Sequence, residues 1–341
     1  MLAAKVKLKR AESIKKYLIK EEIYNKDYAI LRTKYQIYFP ISSENSIEKK
    51  FSDVQIVNKP LIKLAAKQSL KDAIKNKLTK TELSFLKRAF DVIGDIAIIE
   101  IPAKLTKKQK TIAQALLNQH KNIKVVLKKA GIHVGVFRTQ KLKHLAGEKR
   151  KETIYRENGV QIKLDVEKVY FSPRLSTERK RIAGLIKKGE EILVMFSGCG
   201  IYPAVIAKNT EAKHITGIEI NTVAHRYALE NIRINKAANI DLINGDVKNI
   251  APRMAQRYDR ILMPLPKGAE DFLDLAIDLI KPKGTIHFYD FLAEEDFPGK
   301  SISKIDNACK KSEKKYKIIS SVRCGQYSPR KYRVCIDFTI Y

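Results

Sequence analysis

From about residue 190 onward, short unbroken apolar runs alternate with longer segments of helical spacing. Ile192–Phe196, His214–Ile220, Ile240–Ile243 and Arg260–Met263 read as strands buried on both faces, because a strand covered by helices has no polar side to present. Ile201–Lys208, Ala269–Ile280 and about Ile302–Lys314 carry the helical pattern between and after them, and Gly284–Leu292 is a further long strand. Tyr316–Arg323 and Lys331–Ile340 are strands joined only by Cys324–Arg330. A loop that short cannot return a parallel neighbour, so the final strand must run antiparallel. The pattern predicts an α/β, Rossmann-like sheet with one reversed strand.

The first half reads differently. Lys5–Lys9 alternates like a strand, Ala11–Glu22 places Ile14, Tyr17 and Leu18 at helical spacing, and Tyr28–Arg32 with Tyr35–Ile41 resembles a hairpin. Ser42–Lys50 is polar and loop-like. Further on, Val92–Ile101 is predicted as one strand with a Gly94-Asp95 turn signal near its start, Thr106–Gln119 as a helix and Ile123–Leu127 as a strand. Thr153–Arg156 and Val160–Val166 flank Glu157-Asn158-Gly159, a strong hairpin signal. Three domains follow: a small α+β unit over 1–60, a second α+β unit over 61–165, and the α/β domain over 166–341.

Charge separates these parts by partner. The chain of 341 residues carries a formal net charge of +30. Residues 61–150 hold 21 Lys and Arg against 6 Asp and Glu, a balance of +15, so half the excess sits in about a quarter of the length. Such a surface suits a polyanion, and a lysine-rich proteome is the competing explanation. The cysteines at 199, 309, 324 and 335 form no C-x-x-C pair and accompany no histidine cluster, so neither a zinc site nor a disulfide framework is expected. Met1–Lys9 is too charged for a signal sequence, and no apolar run approaches the ~18 residues of a membrane span, which points to a cytoplasmic protein.

Candidate chemistry gathers at the predicted strand tips. Gly198 and Gly200 make a turn between strand and helix, and Glu219, 21 positions after Gly198, falls at the next tip, where an acid suits a ribose diol. The bland alternative is a strand-helix-strand unit whose glycines only turn the chain. Pro203 occupies the place of the third glycine of a dinucleotide fingerprint, so the ligand need not carry a pyrophosphate. Asp246 ends the third strand, where it can accept from an adenine amino group, and Pro264-Leu265-Pro266 closes the fourth. Upstream, the loop Gly131-Ile132-His133-Val134-Gly135 leads to Arg138, either a phosphate clamp or a base-contacting group. Tyr170-Phe171-Ser172-Pro173 is an extended segment, and Ser176 or Thr177 can cap a helix that Glu178 begins. An acid there can simply offset the helix dipole, worth ~0.3–1 kcal/mol.

Taken together, DVIGDIAI at 91–98, VFRTQKLKHLAGEKR at 136–150, KVYFSPRLSTER at 168–179, VMFSGCG, GIEIN, NGDV, the Pro-rich tip, HFYDF and YSPRKY resemble the archaeal and eukaryotic tRNA (guanine-37-N1)-methyltransferases, above all their archaeal branch. The resemblance spans the whole length. It implies a class I S-adenosylmethionine (SAM) methyltransferase domain with an antiparallel last strand, preceded by two small α+β RNA-binding domains, the N-terminal one gripping the outer corner of tRNA. It implies SAM as donor and guanine 37 of tRNA as acceptor, in a monomeric enzyme with no obligate protein partner. Carried over residue by residue, SAM contacts fall on Arg179, Phe196, Ser197, Gly198, Gly200, Glu219, Ile220, Asp246, Val247 and Pro264. The catalytic base falls on Glu178 and the partner of the guanine oxygen on Arg138, with Tyr170, Ser172, Pro173 and Arg174 shaping the base pocket. Three departures stand out: Pro264 where many relatives have Asn, Glu219 where some have Asp, and SGCG in place of AGVG. Some branches with altered tips methylate C7 of the tricyclic wyosine precursor, which keeps that acceptor open. A ribosomal RNA methyltransferase and a non-catalytic RNA-binding protein are the other readings.

Because each phosphate neutralised releases counterions, RNA affinity should fall steeply between 50 and 200 mM salt, by ~10³-fold or more if six phosphates are contacted. SAM affinity, measured in the same titrations, should barely move. A flat RNA response would remove the electrostatic role of residues 61–150.

Overall fold

The computed structural model describes residues 1–43, 47–64, 70–87, 89–132, 135–265 and 267–341. His133, Val134, Pro266 and the centre of the polar Ser42–Lys50 stretch lie outside them. Contacts divide the chain into two compact units, Met1–Ala73 and Ile74–Tyr341, so the first boundary falls some way beyond Pro60.

The first unit is an antiparallel sheet in the order Leu31–Arg32, Gln36–Pro40, Leu2–Lys7, Gln55–Asn58. The expected hairpin is present. The first strand ends at Lys7, because Leu8–Arg10 already turns as a 3-10 helix into Ala11–Lys20. That helix buries Ile14 and Leu18 in a core with Val6, Phe39 and Ile41.

The second unit contains two larger sheets. In the smaller, the strands Phe90–Ile93, Ile96–Ile99, Val125–Lys129 and Leu142–Gly147 follow one another. The single strand expected over Val92–Ile101 is therefore a hairpin, folded at Gly94, whose φ of +59° favours glycine and whose missing Cβ would meet the Thr153 hydroxyl at 2.2 Å. Leu142–Gly147 was not foreseen. Its register slips opposite Val126 and Leu127, burying the neighbours Leu145 and Ala146 together and erasing the two-residue period that marks a strand.

The large sheet holds seven strands: β1 Glu191–Met195, β2 His214–Glu219, β3 Ile240–Asn244, β4 Tyr258–Met263, β5 Ile280–Ala293, β6 Tyr316–Ser328 and β7 Lys331–Ile340. Their order is β3-β2-β1-β4-β5-β7-β6. The first five run parallel, and β7 is antiparallel to both β5 and β6, as the short loop demanded. Helices α1 Ser176–Ala183, α2 Ile201–Asn209, α3 Thr222–Asn235, α4 Leu273–Leu279 and α5 Gly299–Lys311 accompany this sheet, and the unit also contains the helices Lys80–Phe85, Gln109–Gln119 and Val247–Ile250. Neither Ser176 nor Thr177 caps α1. The 3-10 turn Pro173–Leu175 runs straight into it, so the cap position is Leu175 and no side chain fills the role.

Position 165 is no division either. One apolar core runs from Ile93, Val125 and Leu142 of the smaller sheet through Val160, Ile162 and Leu164 to Ile192 and Val194 of the large one. The hairpin Glu152–Glu157 and Val160–Asp165 is held by two asparagines on α3. Asn235 bonds both the N–H and the C=O of Gln161, at 2.9 and 2.7 Å, and Asn231 does the same for Lys163, at 2.7 and 2.9 Å. Four helical residues rise ~6 Å and two strand residues ~6.7 Å, so the side-chain amides meet alternate strand residues like an extra ladder strand. Asn231 also donates to the carbonyl of Cys199 in the glycine turn, at 2.9 Å.

Asn231→Ala leaves those three backbone groups unpaired in a fully buried place. Chemical denaturation should show a loss of roughly 3 kcal/mol or more, at ~1–3 kcal/mol per orphaned group. A loss below ~0.5 kcal/mol would show that water replaces the amide and that the hairpin is not held this way.

Candidate active site

β1 delivers its last residues into a strained turn. Phe196 has φ +62° although it carries a side chain, Gly198 has φ +59° and Gly200 φ +78°. A non-glycine residue held in the left-handed region marks a place where the fold overrides local preference. At Gly200 a Cβ would stand 3.1 Å from Ala228 of α3, so this glycine lets two helices approach; at Gly198 a Cβ would meet nothing within 4 Å, so this one faces open space.

Glu219, at the tip of β2, ties the turn to the next helix. Its Oε2 accepts from Gly198 N–H and its Oε1 from Asn221 N–H, both at 2.7 Å. Asn221 in turn caps α3, accepting from Val223 and Ala224. The carboxylate is 9% exposed, and burial pushes its pKa up against the lowering effect of those backbone donors. Beside it the Ser197 hydroxyl is buried with no hydrogen-bond partner.

These groups border a cavity of about 110 Å³, next to a wider groove of about 400 Å³. The cavity brings together Arg179, Phe196, Ser197, Gly198, Glu219, Ile220 and Pro264, on which the resemblance placed cofactor contacts, and Val136 and Phe137 also border it. Arg138, Tyr170 and Ser172 line both spaces, whereas Pro173 and Arg174 line only the groove. The cavity is smaller than the ~300–1,000 Å³ of ordinary ligand sites, and the adjoining groove falls within that range.

Several expected contacts are placed otherwise. Gly200, Asp246 and Val247 do not border the cavity. Asp246 caps the short helix Val247–Ile250 through Lys248 N–H, and Val247 is buried beneath it. Arg179 lines the wall, but its guanidinium is committed to Glu157 at 2.5 and 2.6 Å and lies over the rings of Phe171 and Tyr202. Arg174 pairs with Asp91. Arg138 has φ +50° and donates to the carbonyl of Lys267 at 2.7 Å, bridging its loop to the segment after β4. Glu178 reaches neither space. It is 4% exposed and accepts two bonds from Arg181 and one from Tyr289, all at 2.7 Å. It also stands in the first turn of α1, where an acid offsets the helix dipole, while its carboxylate turns to these partners.

Phe171, Tyr202 and Asn221 belong to the cavity wall without having been singled out. Asn221 had a readable signal, a capping residue two positions after the strand-tip acid. Burial pushes the Cys199 thiol up to about 12, so it is no nucleophile. His287, Cys335 and Asp337 come close enough to hold a metal ion, yet Arg260 bonds His287 Nε2 at 2.7 Å and Arg181 bonds Asp337 at 2.6 Å. Two guanidiniums therefore occupy the ligand atoms, and the cluster is a buried ion-pair network. Burial lowers the pKa of His287, while burial's upward push on Asp337 is overcome by His287 and Arg181, which hold it well below the usual carboxylate range.

Residues 153–319 match the TRM5/TYW2 methyltransferase domain, residues 70–150 the TYW2 N-terminal domain and residues 3–49 the tRNA methyltransferase 5 N-terminal domain. The tRNA (guanine(37)-N(1))-methyltransferase Trm5b of Pyrococcus abyssi is 37% identical over 351 residues, covering 99% of each chain. The chain belongs to the TRM5/TYW2 methyltransferase family. Within that family, the tRNA (guanine(37)-N(1))/4-demethylwyosine(37)-methyltransferase Taw22 of Nanoarchaeum equitans is 34% identical, covering 73% of this chain and 98% of its own. Among solved structures, the complex of aTrm5 with tRNALeu superposes with a TM-score of 0.71 at 31% identity over all of both chains. Methanocaldococcus jannaschii Trm5 in complex with adenosine gives 0.67 at 29% identity, covering 100% and 99%. In the TRM5/TYW2 frame the cavity suits an adenosyl ligand: open space at Gly198, an unpaired Ser197 hydroxyl, and on Glu219 lone pairs beyond the two bonds it already accepts.

A carboxylate that accepts from ribose hydroxyls binds best when ionised, so such a ligand lowers its pKa. Since burial raises Glu219, SAM affinity should be full above that raised value and fall as pH drops through it, earlier than for an exposed glutamate. Glu219→Gln should bind weakly at every pH. Parallel pH curves for the two proteins in calorimetry would remove Glu219 from the ribose.

Proposed function

We propose that the chain transfers the methyl group of SAM to N1 of guanine 37 in tRNA, acting as a single chain in the cytoplasm. The observation that carries this reading is the junction of two spaces: a closed cavity built on Gly198 and Glu219 opens, past Arg138, Tyr170 and Ser172, into a groove wide enough for a base. The family membership and the full-length likeness to guanine-37 methyltransferases support it. Among the described residues no helix is long and apolar enough to cross a membrane.

When bound, SAM supplies the electrophilic methyl group; N1 of guanine is the nucleophile, and the protein must free its lone pair. N1 of guanine carries a proton at neutral pH, and a base has to remove it. Glu178 is that base in our reading. Loss of the proton pushes charge onto O6, where Arg138 offers a charge-assisted bond from a loop already fixed by Lys267. Tyr170, whose hydroxyl accepts from Arg333 at 2.7 Å, and Ser172 form the wall against which an unstacked guanine would rest. Asp246 in this reading acts through the loop it caps.

Taw22 motivates a second acceptor, because Pro264 provides no side-chain hydrogen bond at the β4 tip with which to distinguish guanine from its tricyclic derivative. Incubation with SAM and two tRNAs, one bearing unmodified guanine 37 and one the tricyclic precursor, followed by nucleoside mass spectrometry, separates the two. N1-methylguanosine is expected from the first, and its absence would refute the reading. Arg138→Ala should slow single-turnover methylation by ~10²-fold or more with SAM affinity within a few-fold. An unchanged rate would show that O6 is stabilised elsewhere.

A further inference from the structure

Glu178 presents a geometric problem: no edge of it faces the cavity, and three donors already occupy its oxygens. A hydrogen-bonded path nevertheless leads to it. Tyr202, in the first turn of α2, forms part of the cavity wall, and its hydroxyl donates to the Tyr289 hydroxyl at 3.2 Å. Tyr289, on β5, donates in turn to Glu178 Oε1 at 2.7 Å. Both rings are nearly wholly buried, at 4% and 2% exposure, and they meet edge to face with centroids 6.3 Å apart. Both donors point the same way, from the cavity wall to the carboxylate.

We propose that Tyr202 and Tyr289 relay the proton of guanine N1 to Glu178, so that the base acts at a distance. This rests on the reading of Glu178 as base. The step balances: the N1 proton passes to the Tyr202 oxygen as the Tyr202 proton moves to the Tyr289 oxygen and the Tyr289 proton moves to Glu178 Oε1. The N1–H electron pair becomes the nucleophile, both phenols end neutral, and the carboxylate becomes a carboxylic acid. Burial raises both phenol pKa values, which keeps them protonated and able to pass a proton on. Arg181 is a positioning residue, since it holds Glu178 by two bonds and is itself held by Asp337 at 2.6 Å.

The test compares the full-length protein with Tyr202→Phe, Tyr289→Phe and Glu178→Gln in single-turnover methylation of a guanine-37 transcript. S-adenosylhomocysteine affinity and melting temperature serve as controls. The relay predicts that each variant loses ~10²-fold or more in rate while cofactor affinity stays within a few-fold. It also predicts that the proton inventory in mixed H2O and D2O is curved for the intact chain and straight for either Phe variant, a change that lost packing would not produce. Tyr202→Phe at the wild-type rate alongside a slow Glu178→Gln would overturn the relay and leave Glu178 as a direct base. Glu178→Gln at the wild-type rate would overturn the base assignment itself, and an intact chain that makes no N1-methylguanosine would overturn the function.

Discussion

The site depends on one buried carboxylate. Glu219 takes a backbone N–H from the glycine turn after β1 and another from the residue that caps α3, so a single side chain sets the spacing of two strand tips and the start of a helix. An acid at this depth is costly unless its lone pairs are satisfied, and two backbone donors are fixed by the fold before any ligand arrives. The remaining acceptor capacity is what a diol would use. In the proposed reading, structure and binding therefore draw on the same atoms.

Helix α3 carries the consequence outward. Its cap, Asn221, follows Glu219; two turns on, Ala228 lets Gly200 approach to within a van der Waals contact; one turn further, Asn231 bonds both the Cys199 carbonyl and the hairpin over Lys163. Ala228 and Asn231 bring their partners together because residues three apart share a helix face. The hairpin then contributes Glu157, which fixes Arg179 against Phe171 and Tyr202 in the cavity wall. A displacement of α3 would be felt at the turn, the hairpin and the wall together, which is why the smaller sheet and the α/β sheet share a core.

The order of the large sheet and its reversed strand were legible because unbroken apolar runs and a short loop admit few alternatives. The turn glycines and Glu219 were legible for the same reason, lying at tips those runs define. What escaped notice depends on contacts made at long range. Leu142–Gly147 hides its period behind a bulge, the 165 boundary vanishes because Asn231 and Asn235 reach across 68 and 74 residues, and the cap expected of Ser176 is displaced by the 3-10 turn at Pro173. Asp246 and Glu178 were placed by motif alone. Their strand tip and helix are where the sequence put them, but no local pattern tells a side chain whether to face a cavity, cap a helix or join an ion pair.

That ion pair bears on how a base can work inside so cationic a protein. Although the chain carries a net charge of +30, Glu178 sits in a network of Arg181, Asp337, Arg260 and Glu190, with His287 neutral because its Nε2 accepts from Arg260. Three carboxylates against two guanidiniums leave one formal negative charge. Were Glu178 the base, as proposed, taking up one proton would bring the network to neutrality, whereas a site with matched charges would have to bury a net positive charge. Arginines hold this balance because their planar forks satisfy two carboxylate oxygens at once, as the half-buried Arg181 and the buried Arg260 do. The lysines that supply much of the excess stay toward solvent, where a polyanion can meet them. The division between inward-facing arginine and outward-facing lysine lets one chain attract a polyanion and still keep an unmatched carboxylate within its core.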